Sequence, residues 1–180
     1  MTEKKIIVAI DTSCETEAVA ILNKLNPELC MVKIGSVVFN SLGRDFIEFT
    51  HEKGFQIFLD LKFHDIPNTV KESILGITSL PIEILTIHTS GGLHMMKAAM
   101  EAVKGTNIKV FGVTALTSLS NDDVKYIFQR DISDQVNAML DLAEQAGIDG
   151  VVCSPHELEL VKARDCFLSV TPGIRLVQSE

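Results

Sequence analysis

Several short apolar runs in this chain end on, or carry, a residue able to hold charge or move a proton. Asp11 follows Ile6 to Ile10, Lys33 stands near the end of a second run, and Asp60 and Lys62 sit together in a third. His88 closes a fourth run and Thr114 follows a fifth. A lone Asp or Lys at such a place is ordinarily a solvated strand end. Repetition at one end of several strands points instead to a shared rim. In an extended strand, alternation sends Asp60 and Lys62 to one side, with Phe58 beneath them pointing into the core. A charged pair above apolar packing meets little water, which strengthens its interactions. An ammonium fixed there can stabilise a developing anion and also protonate it.

The elements that must position these groups can be read from the pattern of burial. Seven runs rich in β-branched residues read as strands buried on both faces: Lys5–Ile10, Leu29–Ile34, Phe55–Leu61, Ile82–His88, Asn107–Val113, Ile148–Val152 and Cys166–Val170. Between them lie stripes at helical spacing. They are Ala18, Ile21, Leu22 and Leu25; Phe39, Leu42, Phe46 and Phe49; Val70, Ile74 and Ile77; Leu93, Met96, Met100 and Val103; and Val136, Met139, Leu140 and Ala143. The methionines read as core filler. Gly54, Gly105 and Gly147 stand where helices should stop, and Ser154, Pro155 and Glu157 form a helix start with a capping serine.

Strict alternation with short connections demands a parallel sheet, either an open doubly wound sheet or a closed barrel. No G-x-G-x-x-G follows the first strand, which removes the main support for a dinucleotide-binding open sheet. In a barrel, the polar strand ends would gather at the C-terminal face, where the active site is built. No linker, long-period repeat or low-complexity segment interrupts residues 1–180, which read as a single domain.

Composition narrows the function classes. The 180 residues are 46% hydrophobic and 22% charged, enough to bury one substantial core. Lys and Arg number 16 against 24 Asp and Glu, a formal net charge of -8, and no basic run could follow a phosphate backbone. A nucleic-acid polymer is therefore excluded as the expected partner. The apolar runs fall far short of the ~20 residues a membrane span needs, and Met1 to Lys5 lacks a signal-peptide pattern. The reading is a soluble, cytoplasmic protein with no membrane partner. Cys14, Cys30, Cys153 and Cys166 are scattered, without a C-x-x-C pair, as expected of reduced thiols rather than a zinc site.

The segment Leu59-Asp60-Leu61-Lys62-Phe63-His64-Asp65-Ile66-Pro67-Asn68-Thr69-Val70 closely resembles the signature of the orotidine 5'-phosphate decarboxylase family. The likeness continues through Ile7-Val8-Ala9-Ile10-Asp11, Val32-Lys33-Ile34-Gly35, Val113-Thr114-Ala115-Leu116-Thr117-Ser118 and Thr171-Pro172-Gly173-Ile174-Arg175, in family order along essentially the whole chain. The resemblance implies an α/β fold, a (β/α)8 TIM barrel acting as a homodimer. It also implies conversion of orotidine monophosphate to uridine monophosphate and carbon dioxide, with no cofactor and no metal. Family members continue past the T-P-G-I-R segment to a phosphate-gripping loop, an eighth strand and a last helix. This sequence stops at Glu180, so the resemblance implies that its last β/α unit is missing.

Residue by residue, the resemblance makes Lys33, Asp60, Lys62 and Asp65 the family's charged tetrad, with Lys62 the proton donor and Asp65 contributed across the subunit interface. Asp11 and Lys33 match ribose-hydroxyl contacts, and Thr69 matches a ribose contact from the partner subunit. Thr117 or Ser118 falls near the pyrimidine, and Arg175 matches an arginine near the substrate phosphate. Asp60, by this likeness, lies near the departing carboxylate.

Two other readings are open. A magnesium-dependent sugar-phosphate decarboxylase or aldolase of the same superfamily would share Asp60, Lys62 and Asp65. It typically has a metal-binding glutamate where this chain has Lys33, and an ammonium cannot ligate magnesium. A non-catalytic nucleotide-binding barrel is the other. Nothing supports a Ser-His-Asp or Cys-His hydrolase. His64 reads as structural, and His51, His94 and His156 as surface or capping residues. His88, followed by Thr89-Ser90-Gly91-Gly92 before a helix, is compatible with anion binding at a helix start, whereas the resemblance puts the phosphate elsewhere.

Overall fold

The computed structural model describes residues 5–116 and 118–174. Seven parallel strands form one sheet in chain order: β1 (Ile6–Ile10), β2 (Cys30–Gly35), β3 (Ile57–Phe63), β4 (Ile84–His88), β5 (Lys109–Val113), β6 (Gly150–Val152) and β7 (Leu168–Val170). Helices α1 (Glu15–Leu22), α2 (Ser36–Glu52), α3 (Pro67–Leu75), α4 (Gly92–Ala102), α5 (Asn121–Phe128), α6 (Ile132–Ala146) and α7 (Leu158–Lys162) fill the crossovers. This is the expected (β/α) barrel architecture in seven consecutive strands. Among the described residues β1 and β7 do not pair with each other.

Alternation along each strand divides the side chains between two apolar layers. The larger lies between sheet and helices and includes Val32, Ile34, Ile57, Leu59, Leu85, Ile87 and Val110, packed against helical residues such as Ile47, Ile74, Met96 and Ala143. The smaller lies on the sheet's opposite face: Met31, Phe58, Ile84, Phe111, Val113 and Val152, joined by Ile7 and Val170. Phe58 and Phe111 are its bulkiest members, with ring centroids 6.4 Å apart. Gly150 makes room for them, since a Cβ there would lie 2.6 Å from Cζ of Phe111 and 2.7 Å from the Leu168 carbonyl oxygen.

The element ends follow local chemistry. α6 stops at Gly147, whose φ of 74° suits a residue without a Cβ. Ser154 and Glu157 form the expected reciprocal cap, here opening a 3-10 turn, Pro155–Glu157, that leads into α7. The helical stripe expected in α2 packs on the core, with Phe46 buried and Phe39, Leu42 and Phe49 partly buried against it. The helix also buries Val38, Ile47 and Thr50, and Gly43 interrupts it at φ 71° and ψ −161°. Among the described residues no disulfide forms, and no helix is long and apolar enough to cross a membrane.

Candidate active site

The inward face of the strands passes from apolar to charged along the chain direction. On β2, Met31 is followed at alternation distance by Lys33; on β3, Phe58 by Asp60; on β4, Ile84 by Thr86 and then His88. The aromatic layer is thus the floor on which the charged groups stand.

Asp60 is the hub. Its carboxylate is buried, and its Oδ2 accepts a hydrogen bond from Lys62 Nζ at 2.8 Å while Lys33 Nζ lies 3.5 Å away. Lys33 also reaches Oδ1 of Asp11 at 3.6 Å, linking β1, β2 and β3 in a chain of alternating charge. The other oxygen, Oδ1 of Asp60, accepts from the hydroxyl of Thr86 at 2.9 Å. Burial pushes the Asp60 carboxyl up, but the Lys62 hydrogen bond and charge, with Lys33 and Thr86, outweigh it and hold the group below the usual carboxylate value.

Lys62 reaches this position by an irregular route. β3 advances from Leu59 to Phe63 while β4 advances only from Leu85 to Ile87, so β3 carries two surplus residues. Lys62 lies inside this bulge with φ at 51°, a left-handed conformation uncommon for a residue other than glycine. Regular alternation, expected from the sequence to align Asp60 and Lys62, is broken between them. The side chains still meet because the bulge re-aims Lys62. Its backbone N–H bonds to Thr86 Oγ1 at 2.9 Å.

His88 stands at the end of β4, with its ring 5.2 Å from that of His64. Burial first, then the charges of His64 and Lys62, lower its pKa below the ordinary histidine value, against a smaller opposing pull from Asp60. Thr114 does not join the rim, contrary to the sequence expectation. It is buried, and its hydroxyl lies 3.2 Å from both the Val152 carbonyl oxygen and Glu157 Oε2, which ties it to the cap after β6.

The remaining expected site residues lie apart from the cluster within this chain. Asp65 is exposed and accepts from the Ile66 N–H at 2.6 Å. Thr69 is exposed near the start of α3, and Ser118 is exposed in the loop between β5 and α5. Thr117 and Arg175 lie outside the described residues. A cleft of about 400 Å³ opens beside that loop, lined in part by Leu116, Leu119, Ile132, Ser154 and His156, and does not include the charged cluster. Among the described residues no three His, Cys, Asp or Glu side chains gather as a metal site. Thr86 was not singled out from sequence. Its signal was a hydroxyl at an inward position within an otherwise apolar run, Ile84-Leu85-Thr86-Ile87.

Fixed charges standing on an apolar floor at the C-terminal rim of a parallel β/α barrel lie where this architecture builds its active sites, which defines the class as a β/α-barrel enzyme. Comparison with known proteins narrows it. Residues 4–180 match the model of the orotidine 5'-phosphate decarboxylase / HUMPS family, and the chain belongs to that family. It is 44% identical over 185 residues to an orotidine 5'-phosphate decarboxylase of Coxiella burnetii, an alignment covering 99% of this chain and 78% of that protein. With the Actinobacillus succinogenes protein of the same name, identity is 41% over 184 residues, covering 99% and 79%. The crystal structure of orotidine 5'-phosphate decarboxylase from Lactobacillus acidophilus superposes with a TM-score of 0.88 at 39% identity, covering 96% of this chain and 82% of that one.

Proposed function

We propose that this chain is a carboxy-lyase that converts orotidine monophosphate to uridine monophosphate and carbon dioxide, a step of pyrimidine biosynthesis. The observation that carries this reading is the chain of charge from Asp11 through Lys33 and Asp60 to Lys62, standing on the Phe58 layer.

In this reaction the bond between ring carbon 6 and the carboxylate breaks, its electron pair stays on carbon 6, and carbon dioxide leaves. No adjacent carbonyl delocalises that pair, so the barrier must fall through fixed charge. Lys62 is the group that stabilises the carbanion and then gives it a proton. Asp60 holds Lys62 in place and stands near the departing carboxylate, where two like charges ~4 Å apart interact by about 4 kcal/mol at an effective dielectric of ~20. That repulsion is well below the ~8–23 kcal/mol that enzymes supply, so most of the effect comes from stabilising the transition state. Lys33 and Asp11 bind the ribose hydroxyls, and Thr117 or Ser118 contacts the pyrimidine. Arg175 meets the phosphate, whose remote binding energy is available to close loops over the site.

The working form in this reading is a homodimer. Asp65 and Thr69 are exposed together with Ile66, which leaves 66% of its surface open. A partner subunit covering that apolar residue would bring Asp65 and Thr69 to the neighbouring site, completing the tetrad. No cofactor or metal takes part, and Lys33 already supplies a cation beside Asp60. In this reading the enzyme is cytoplasmic, which its scattered cysteines without a C-x-x-C pair support.

The test is release of carbon dioxide from orotidine monophosphate with and without a chelator. Release in both conditions is expected. Activity lost to the chelator and restored by magnesium would favour the metal-dependent sugar-phosphate reading, and tight uridine monophosphate binding without any release would favour a binding protein.

A further inference from the structure

Thr86 holds both Asp60 and Lys62 through a single hydroxyl. It is fully buried on β4, opposite the bulge of β3. Its two hydrogen bonds have forced directions. The N–H of Lys62 can only donate, so Thr86 Oγ1 accepts from it at 2.9 Å. The ionised carboxylate of Asp60 can only accept, so the hydroxyl proton goes to Oδ1 at 2.9 Å.

Three consequences follow. The bulge removes Lys62 from the regular β3–β4 ladder, and the hydroxyl replaces the partner its N–H would otherwise lack. A left-handed conformation at a non-glycine residue costs about 1–3 kcal/mol and persists only where the surroundings determine it. The bond to Thr86 is a fixed point that does so. Finally, occupying Oδ1 leaves Oδ2 as the oxygen that meets both ammonium groups, Lys62 at 2.8 Å and Lys33 at 3.5 Å.

The geometry points to Thr86 as a positioning residue for the decarboxylation. Its hydroxyl sets the rotation of the Asp60 carboxylate and the backbone direction from which Lys62 reaches carbon 6. The inference rests on the functional reading above and adds to it a residue that touches no substrate. The charged and titratable groups around Asp60 are Lys62 from the β3 bulge, Lys33 from β2 with Asp11, just past β1, behind it, and His88 from β4 with the His64 ring beside it. Thr86 is the neutral group among them that bonds directly to the carboxylate.

The experiment compares wild type with Thr86→Val, which keeps the shape and removes the hydroxyl, and Thr86→Ser, which keeps the hydroxyl. Thr86→Ala runs in parallel, in case the added methyl of valine disturbs folding. The readouts are kcat, KM and the pH profile for carbon dioxide release from orotidine monophosphate. Thr86→Val and Thr86→Ala should lose about 100-fold in kcat, the scale of an ångström misplacement, with KM changed far less. Their acid limb should move to higher pH, because Asp60 loses a bond that favours its ionised form. Thr86→Ser should restore both rate and profile. Wild-type kcat and an unmoved acid limb in folded Thr86→Val would overturn the proposal, as would Thr86→Ser being as impaired as Thr86→Val. A wild-type chain that releases no carbon dioxide would overturn the functional reading itself, and this role with it.

Discussion

Lys62 meets Asp60 at 2.8 Å across a β-bulge, from a backbone conformation that lysine seldom adopts. The contact is therefore a product of tertiary structure, since regular β geometry is interrupted between the two residues. Its counterpart is the buried Thr86 hydroxyl on the facing strand, which bonds to both.

The depressed pKa of Asp60 ties this arrangement to stability. A carboxyl with a lower pKa folded than unfolded contributes stability that is complete above the unfolded value, about 3.9, and is lost as pH falls through the folded value. Asp60→Asn should cost about 1–3 kcal/mol at neutral pH, less than removal of a partner from a fully buried pair, because Lys62 keeps 35% of its side-chain surface exposed. Urea unfolding of both proteins from pH 7 downward should show the gap shrinking below about pH 4. A gap that stays constant throughout the acid range would contradict the assigned ionisation.

The aromatic floor makes a separate demand on Gly150. Alanine there would press on Phe111 and on the Leu168 carbonyl, and the backbone oxygen cannot rotate away. Gly150→Ala should lose about 1–3 kcal/mol in denaturant unfolding. Unchanged stability would mean that β6 and β7 separate readily and that the floor is loosely packed.

Much of this fold was legible in the sequence because strands covered on both faces need continuous apolar runs. All seven runs became strands, with ends shifted by no more than a few residues. α5 did not stand out because it is short, eight residues, and buries only Val124. The α2 stripe was legible as four apolar residues on one helix face, whereas the break at Gly43 was not, since spacing alone does not reveal it. In the site, Lys33, Asp60 and Lys62 were legible as charges in otherwise apolar strands. The bulge was not, since no glycine marks the left-handed position at Lys62. Thr114 was misread because its partner, Glu157, is distant in sequence and arrives only through the cap after β6.

The exposure of Asp65 in the single chain makes the shared-site reading testable by mixing subunits. Lys62→Ala and Asp65→Ala should each be nearly inactive alone. After subunit exchange, a mixed dimer has one site with both residues intact, so part of the activity should return. Absence of recovery after exchange confirmed by mass spectrometry would place Asp65 in the site of its own chain, or outside the mechanism.

The most direct measurement is carbon dioxide release from orotidine monophosphate by wild type and by Lys62→Ala, alongside uridine monophosphate affinity. The fixed-charge mechanism predicts release by wild type and, in the variant, loss of turnover with folding and much of the nucleotide affinity retained, because Lys62 acts mainly on the transition state. Near-normal turnover in Lys62→Ala would contradict it.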